Sequence, residues 1–275
     1  MDIVYTLLYV NPINPRTKVS WIYKLDNSNK LRFDYALFGS SRCVHHIDPK
    51  LIDLSTGLNG INLGYAASKP LEVKLMVETF LKKFKPKKIF VQIDYTYNEE
   101  SNSNLATVPW LPIIGEDYVY NELKKVEPKS FRYKYIPFYR YARNESKIGF
   151  RSVFLNLSKK NDFTYKKGFV PTHGSLINKN ITPEFILQDS RNRHLTEIEE
   201  ICERKGVQLY FFTSPMNANF FNFEIIKKYY SSYENFSNSI SDKNFFRDNT
   251  HLNEKGAELF TQIFIDYYFN KNKSK

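Results

Sequence analysis

The chain has 275 residues, of which 42% are hydrophobic and 16% aromatic. That is enough to bury a sizeable core in one large domain or two small ones. Two cysteines, Cys43 and Cys202, are too few for a disulfide framework or a cysteine zinc site, and no apolar run approaches the roughly 20 residues that cross a bilayer. The net charge is +11, but the lysines are scattered and no arginine-rich stripe or nucleic-acid motif accompanies them, so no nucleic-acid partner is expected.

Residues 1–30 read as irregular, with Pro12, Pro15 and a polar "DNSNK" stretch. The apolar "IVYTLLYV" is too short and lacks the basic leader of a signal peptide. "DYALFG" (34–39) predicts a short buried strand and "GINLGY" (60–65) a second. Ser68 as N-cap and Pro70 in the first turn open a helix carrying Leu71, Leu75, Met76, Phe80 and Phe84 at helical spacing. "KKIFVQID" (87–94) is a third strand.

Residues 96–180 then break the rhythm, rich in Tyr, Lys and Asn and carrying five prolines from Pro109 to Pro171. They read as an insertion of loops and short helices, and so long an excursion is more often functional than idle. Alternation resumes with a helix start at Thr182-Pro183, continued by Leu195, Ile198 and Cys202 and stopped at Lys205-Gly206. "VQLYFFTS" (207–214) is a fourth strand, "FNFEIIKKYYSSY" a helix and "NFSNSI" a brief strand or loop. A last helix places Leu259, Ile263, Phe264 and Tyr267 on one face. Strands alternating with helices predict an α/β fold, a parallel sheet covered on both sides as a three-layer α/β/α sandwich, with the insertion after the third strand.

In such sheets ligands bind beyond the carboxyl ends of the strands. "FGSSR" (38–42) lies at one of those ends, so its two hydroxyls and guanidinium either satisfy the turn or include a nucleophile. Near the other terminus, "FFRDNTHLNEKGA" (245–257) holds Asp248 and His251 three residues apart. A nucleophilic serine needs a base to take its proton, and the base needs a carboxylate to fix its tautomer. His45 and His46 follow the serine turn, and His173 lies in the insertion; the first two read as turn or helix residues, the third as a surface residue or substrate contact. The five histidines lack ligand spacing with carboxylates, so no metal is expected, and no cofactor either.

In that order along the chain, "FGSSR", "NLGYAAS" and "DNTHLNEKGAELF" resemble the SGNH (GDSL-like) hydrolase superfamily. The similarity covers roughly 33–95 and 180–270, and lies nearest a branch with Gly-Ser-Ser in place of Gly-Asp-Ser that includes cell-envelope proteins of polysaccharide O-acetylation. The resemblance implies a single domain over 1–275 with 96–180 inserted. It implies Ser41 as nucleophile, His251 as base, Asp248 as its orienting carboxylate and the N–H groups of Gly64 and Ser41 as oxyanion donors. The family's Gly-x-Asn-Asp block is replaced by "IDYTYN", ending its strand on Asp94. Asn98 or Arg42 would then have to supply the missing donor. The implied activity is ester hydrolysis or O-acyl transfer on an acylated carbohydrate or polysaccharide, with a membrane acyl-transfer partner and an envelope or periplasmic location. Two other readings fit parts of the pattern. One is a non-catalytic carbohydrate-binding or assembly protein on a degenerate scaffold of this type. The other is an anion cradle at "GSSR", which leaves Asp248 and His251 unexplained.

Overall fold

A computed structural model describes residues 2–25, 31–158, 162–176 and 184–270. Five strands form the central sheet: β1 (Tyr35–Phe38), β2 (Gly60–Asn62), β3 (Lys88–Gln92), β5 (Gln208–Thr213) and β7 (Tyr233–Asn235). All are parallel, in the spatial order β2-β1-β3-β5-β7. β4 (Glu184–Ile186) and β6 (Asn219–Phe221) pair apart from it as a small parallel sheet. The chain runs from β1 to β2 on one side, then crosses to β3 on the other. β1 therefore lies at the point where the winding reverses, where open α/β sheets leave a crevice at their carboxyl edge.

β1, β2 and β3 are short and almost wholly buried because both faces are covered, while β5 is buried only in its second half and β7 only at Tyr233. Ala36 and Phe38 of β1, with Ile89 and Val91 of β3, point into one apolar layer. Tyr35, Leu37, Phe90 and Phe212 point into the other. The first layer is closed by α5 (Pro70–Lys83) and α12 (Arg193–Lys205) through Leu71, Leu75, Phe80, Leu195 and Ile198. The second is closed by α3 (Ser41–His46), α4 (Pro49–Thr56) and α14 (Glu254–Ile265) through Cys43, Ile52, Phe260 and Phe264. Each fully buried aromatic or aliphatic side chain contributes about 1.5–3 kcal/mol relative to exposure.

Helix α5 begins as its sequence signals imply. Pro70 occupies the first turn, and Glu72 reaches back to accept the Lys69 N–H at 3.0 Å; the cap is Lys69 rather than Ser68. Helix α12 starts at Arg193, with Asn192 accepting the Leu195 N–H at 3.1 Å, and ends on Gly206 at φ +64°. The expected start at Thr182-Pro183 falls outside the described residues, and the strand β4 precedes α12. On α14 the buried face is Ala257, Phe260, Thr261 and Phe264, while Leu259 is 38% exposed. The apolar stripe is thus rotated from the expected one: Phe264 packs on Phe90 and Phe212 of the sheet, with ring centroids 5.0 and 5.1 Å away, while Thr261 Oγ1 accepts the Asp48 N–H between α3 and α4 at 3.1 Å.

The region expected to be irregular holds α1 (Asp2–Val10) and α2 (Lys18–Lys24). Thr17 caps α2 by accepting the Ser20 N–H at 3.1 Å, and the "DNSNK" stretch lies outside the described residues. Between β3 and β4 come α6 (Asp117–Val126), α7 (Ser130–Tyr135), α8 (Tyr139–Arg143), α9 (Glu145–Ile148), α10 (Phe150–Ser158) and α11 (Asp162–Tyr165). α13 (Glu224–Tyr229) lies between β6 and β7.

Candidate active site

The turn after β1 is built on glycine. Gly39 has φ +148°, and a Cβ there would lie 2.7 Å from the Gln92 Cβ. Only glycine lets the chain turn this tightly against β3. Ser40 is the N-cap of α3, accepting the Arg42 N–H at 3.4 Å. Its own N–H and hydroxyl both donate to Gln92 Oε1, at 3.0 and 2.8 Å. Ser40 therefore ties the turn to β3 and leaves Ser41, the first residue of α3, at the edge of the site.

Ser41 Oγ lies 2.8 Å from His251 Nε2. His251 Nδ1 lies 3.0 and 3.1 Å from the two oxygens of Asp248. With Nδ1–H donating to the carboxylate, Nε2 presents its lone pair to the serine hydroxyl. The structure thus brings together two segments 210 residues apart in sequence. Asp248 Oδ1 also accepts the backbone N–H groups of Thr250 and His251, at 2.9 and 3.0 Å. The turn is self-bracing, which is why the two residues tolerate a spacing of three.

Neighbouring elements hold the histidine loop. The Leu252 N–H donates to His46 Nε2 at 3.0 Å, and the Thr172 hydroxyl donates to the Leu252 carbonyl at 2.5 Å. The Asn217 N–H donates to the Asn249 carbonyl at 2.9 Å. His46 is fully buried and its neighbour His45 bonds Val170 O through Nδ1 at 2.6 Å. Their rings stand 6.2 and 5.8 Å from that of His251. Residues 170–173 therefore cross the site as a strap. His173, expected as a surface residue or substrate contact, is exposed and faces Glu254 at 3.5 Å.

The electrostatics favour a neutral His251 imidazole. Burial pushes the His251 imidazole below its ordinary value, and Asp248 only partly restores it. Burial also works against the Asp248 charge, but the Thr250 N–H and the histidine beside it hold the carboxyl below its usual range. His46 is driven well below the usual histidine value by burial and by the His251 charge. Its role as acceptor for Leu252 N–H requires an unprotonated Nε2 in any case.

Three of the four expected oxyanion contacts are differently employed. The Gly64 N–H donates to Asn62 Oδ1 at 3.0 Å. Its lack of a side chain serves packing, since a Cβ would meet Cys43 Cβ at 2.7 Å and Val44 N at 3.0 Å. Arg42 is 2% exposed and turned inward. Its Nε donates to Asp94 Oδ2 at 2.5 Å, a second nitrogen pairs with the same oxygen, and Nη1 donates to the Tyr95 hydroxyl at 3.0 Å. Asn98 spends its amide on Gln188 O and Ser190 Oγ, at 3.0 and 3.1 Å, and accepts the Gln188 N–H. The Ser41 N–H, by contrast, has no hydrogen-bond partner among the described residues.

The buried Arg42–Asp94 pair is the main feature that sequence reasoning missed. Asp94 also accepts from Gln92 Nε2 at 2.6 Å and from the Thr96 N–H at 2.9 Å. Burial disfavours its charge, yet Arg42 and these donors hold the carboxyl below its usual range. The available signal was a lone opposite charge at the ends of two strands. Parallel pairing of β1 with β3, Phe38 opposite Val91, sets those ends side by side.

Among the described residues, Glu122, His194 and Glu197 cluster as a cation site would. The Lys74 ammonium already bridges the two carboxylates, at 3.0 and 2.5 Å. Closer to the serine turn, the Tyr65 N–H donates to Gly39 O at 2.9 Å. Tyr65, Ala66 and Ala67 wall a cavity of about 420 Å3 that reaches Tyr9, Val108 and Leu155.

No protein-family model and no curated protein matches the chain. Among solved structures, a gut microbial diltiazem-metabolizing enzyme is similar over 86% of this chain, with 12% identity and a TM-score of 0.31. This chain spans 46% of the length of that one.

Proposed function

We propose that the protein is a serine-dependent acyl-transfer enzyme of the SGNH type, acting on O-acyl groups, acetyl foremost, of a carbohydrate. The observation that carries the reading is the hydrogen-bonded chain Ser41–His251–Asp248 at the reversal point of the sheet. Ser41 Oγ attacks the acyl carbonyl carbon while His251 Nε2 takes its proton. The imidazolium forms beside Asp248, which stabilises it and keeps Nδ1 as the donor. The tetrahedral oxyanion accepts the Ser41 N–H; one such donor is worth about 2.7–4 kcal/mol in the transition state. Collapse breaks the bond to the sugar oxygen, which takes the proton from His251 and leaves Ser41 acylated. Water, deprotonated by His251, then releases the acid, and the protein acts as an esterase. A sugar hydroxyl in the same place takes the acyl group instead, making the protein an O-acyltransferase.

A second reading, a carbohydrate-binding protein on an idle scaffold of this type, draws on one observation. The donors of Gly64, Arg42 and Asn98 are all committed elsewhere, so the oxyanion would be served by a single backbone group. Intact mass after treatment with a fluorophosphonate separates the two readings. The enzyme reading expects one adduct on the wild type and none on Ser41→Ala or His251→Ala. A folded wild type that takes up no adduct would refute it and favour the binding protein.

A further inference from the structure

Helix α1 is bound to the protein along one side only. Tyr5 packs on Tyr141 with ring centroids 4.5 Å apart, Thr6 bonds the Tyr141 hydroxyl at 2.7 Å, and Tyr9 is 3% exposed. The opposite side carries Ile3, Val4, Leu7 and Leu8, exposed by 76, 60, 61 and 46%. These positions, i, i+1, i+4 and i+5, make one continuous apolar stripe. Further apolar side chains are exposed on the elements that hold α1. Phe138 at the start of α8 is 6.0 Å from Tyr5 and donates its N–H to Asp2 at 2.9 Å. On α10, Phe150 is 62% exposed. An apolar side chain left in water forfeits its burial energy, and a contiguous group of them marks a surface that is covered by something.

The charge around this surface indicates the covering. Residues 129–151, which run from α7 into α10, contain seven Lys or Arg and a single acid, Glu145; Arg140 pairs with Asp2 and Lys134 with Asp117, while Lys129, Arg132, Arg143, Lys147 and Arg151 form no ion pair among the described residues. Arg151, next to Phe150, is exposed and forms no ion pair among the described residues. An apolar helix face flanked by unneutralised cations matches an anionic lipid surface, where side chains enter the acyl boundary and cations meet headgroups. No helix among the described residues is long and apolar enough to cross a membrane. We propose that α1, with the adjoining ends of α8 and α10, docks the protein on the surface of an anionic bilayer, lying on it rather than spanning it. The inference is independent of the chemistry proposed for Ser41.

Co-sedimentation with vesicles of phosphatidylcholine and phosphatidylglycerol, and with phosphatidylcholine alone, tests this. The protein should sediment with the mixed vesicles, less so as salt is raised, and little with the neutral ones. Ile3→Asp with Leu7→Asp should abolish sedimentation while leaving the thermal transition and the Ser41 labelling rate unchanged, since neither side chain touches the core. Arg151→Gln should weaken partitioning about five-fold, the factor expected of one basic residue at an anionic surface. Failure to sediment with mixed vesicles would overturn the proposal. So would equal binding to neutral vesicles. A dimer in solution that the double Asp variant dissociates would also overturn it, since a second copy would then cover the stripe.

Discussion

Replacing Arg42 with alanine separates two physical roles for this residue. As an oxyanion donor, its loss would lower the acylation rate by about two to three orders of magnitude and leave folding alone. The structure instead commits the guanidinium to Asp94, Tyr95 and Ser40, with the Arg42 and Asp94 side chains 3% and 1% exposed. Removing it strands a buried carboxylate, at a cost of about 3–5 kcal/mol. For a domain near this size, 1 kcal/mol shifts the melting temperature by about 2–4 °C, so Arg42→Ala should melt roughly 6–20 °C below wild type. Arg42→Met combined with Asp94→Leu should recover much of this, because apolar replacement of both partners removes the stranded charge. The pH dependence has a definite sign. The folded pKa of Asp94 is depressed, so the stability it contributes is present above its unfolded value. It is lost as pH falls through the lower folded one. Acid unfolding of wild type below about pH 4 should therefore carry a component that Asp94→Asn lacks. Differential scanning fluorimetry together with fluorophosphonate labelling reads both quantities. An Arg42→Ala protein with wild-type melting and labelling slowed about a hundred-fold would refute the structural role and restore the oxyanion one.

Two further outcomes bear on the same turn. Labelling of Ser41 should follow the neutral form of His251, whose pKa burial depresses below the ordinary 6.5. The rate should therefore stay level from neutral pH down past 6.5 and fall only at more acid values; a midpoint above 6.5, read from the pH profile of labelling, would contradict this. Gly64→Ala should destabilise by about 1–3 kcal/mol in urea unfolding, through overpacking. Its Cβ would approach Cys43 Cβ to 2.7 Å and the Val44 nitrogen to 3.0 Å, forcing α3 off the end of β2. Unchanged stability with lost labelling would put the Gly64 N–H back at the oxyanion.

Much of the frame was legible because it rests on local signals. "DYALFG" and "KKIFVQID" alternate between two apolar layers, and the structure places Tyr35 and Leu37 against one and Ala36 and Phe38 against the other. The stop of α12 at Lys205-Gly206 is a local signal of the same kind, whereas its start at Arg193, capped by Asn192, lies well beyond the expected Thr182-Pro183. Asp248 and His251 were legible as a local signal too, since their bond is internal to one turn. The misjudged helices α1 and α2 hold their place by packing of Tyr9, Trp21 and Ile22, which no periodicity in a segment punctuated by prolines announces. The rotated face of α14 has a similar cause: the elements packed against it, not the helix, decide which stripe is buried.

The polar residues around the serine turn divide along the same line. Ser41 and His251 each have a partner that chemistry requires, so residue type alone narrows the choice. Gly64, Arg42 and Asn98 are donors whose partners could be ligand or protein, and residue type cannot decide between these. Only the pairing of strand ends does so. β1 beside β3 sets Arg42 against Asp94, and the end of β2 beneath α3 sets Gly64 against Cys43. A buried carboxylate at the end of β3 has to be neutralised by a neighbour or protonated, and Arg42 is the group that pairs with it. The buried carboxylate of Asp94 and the inward turn of Arg42 are one structural fact. The Ser41 N–H, with no partner among the described residues, is then the donor on which stabilisation of a tetrahedral oxyanion would depend.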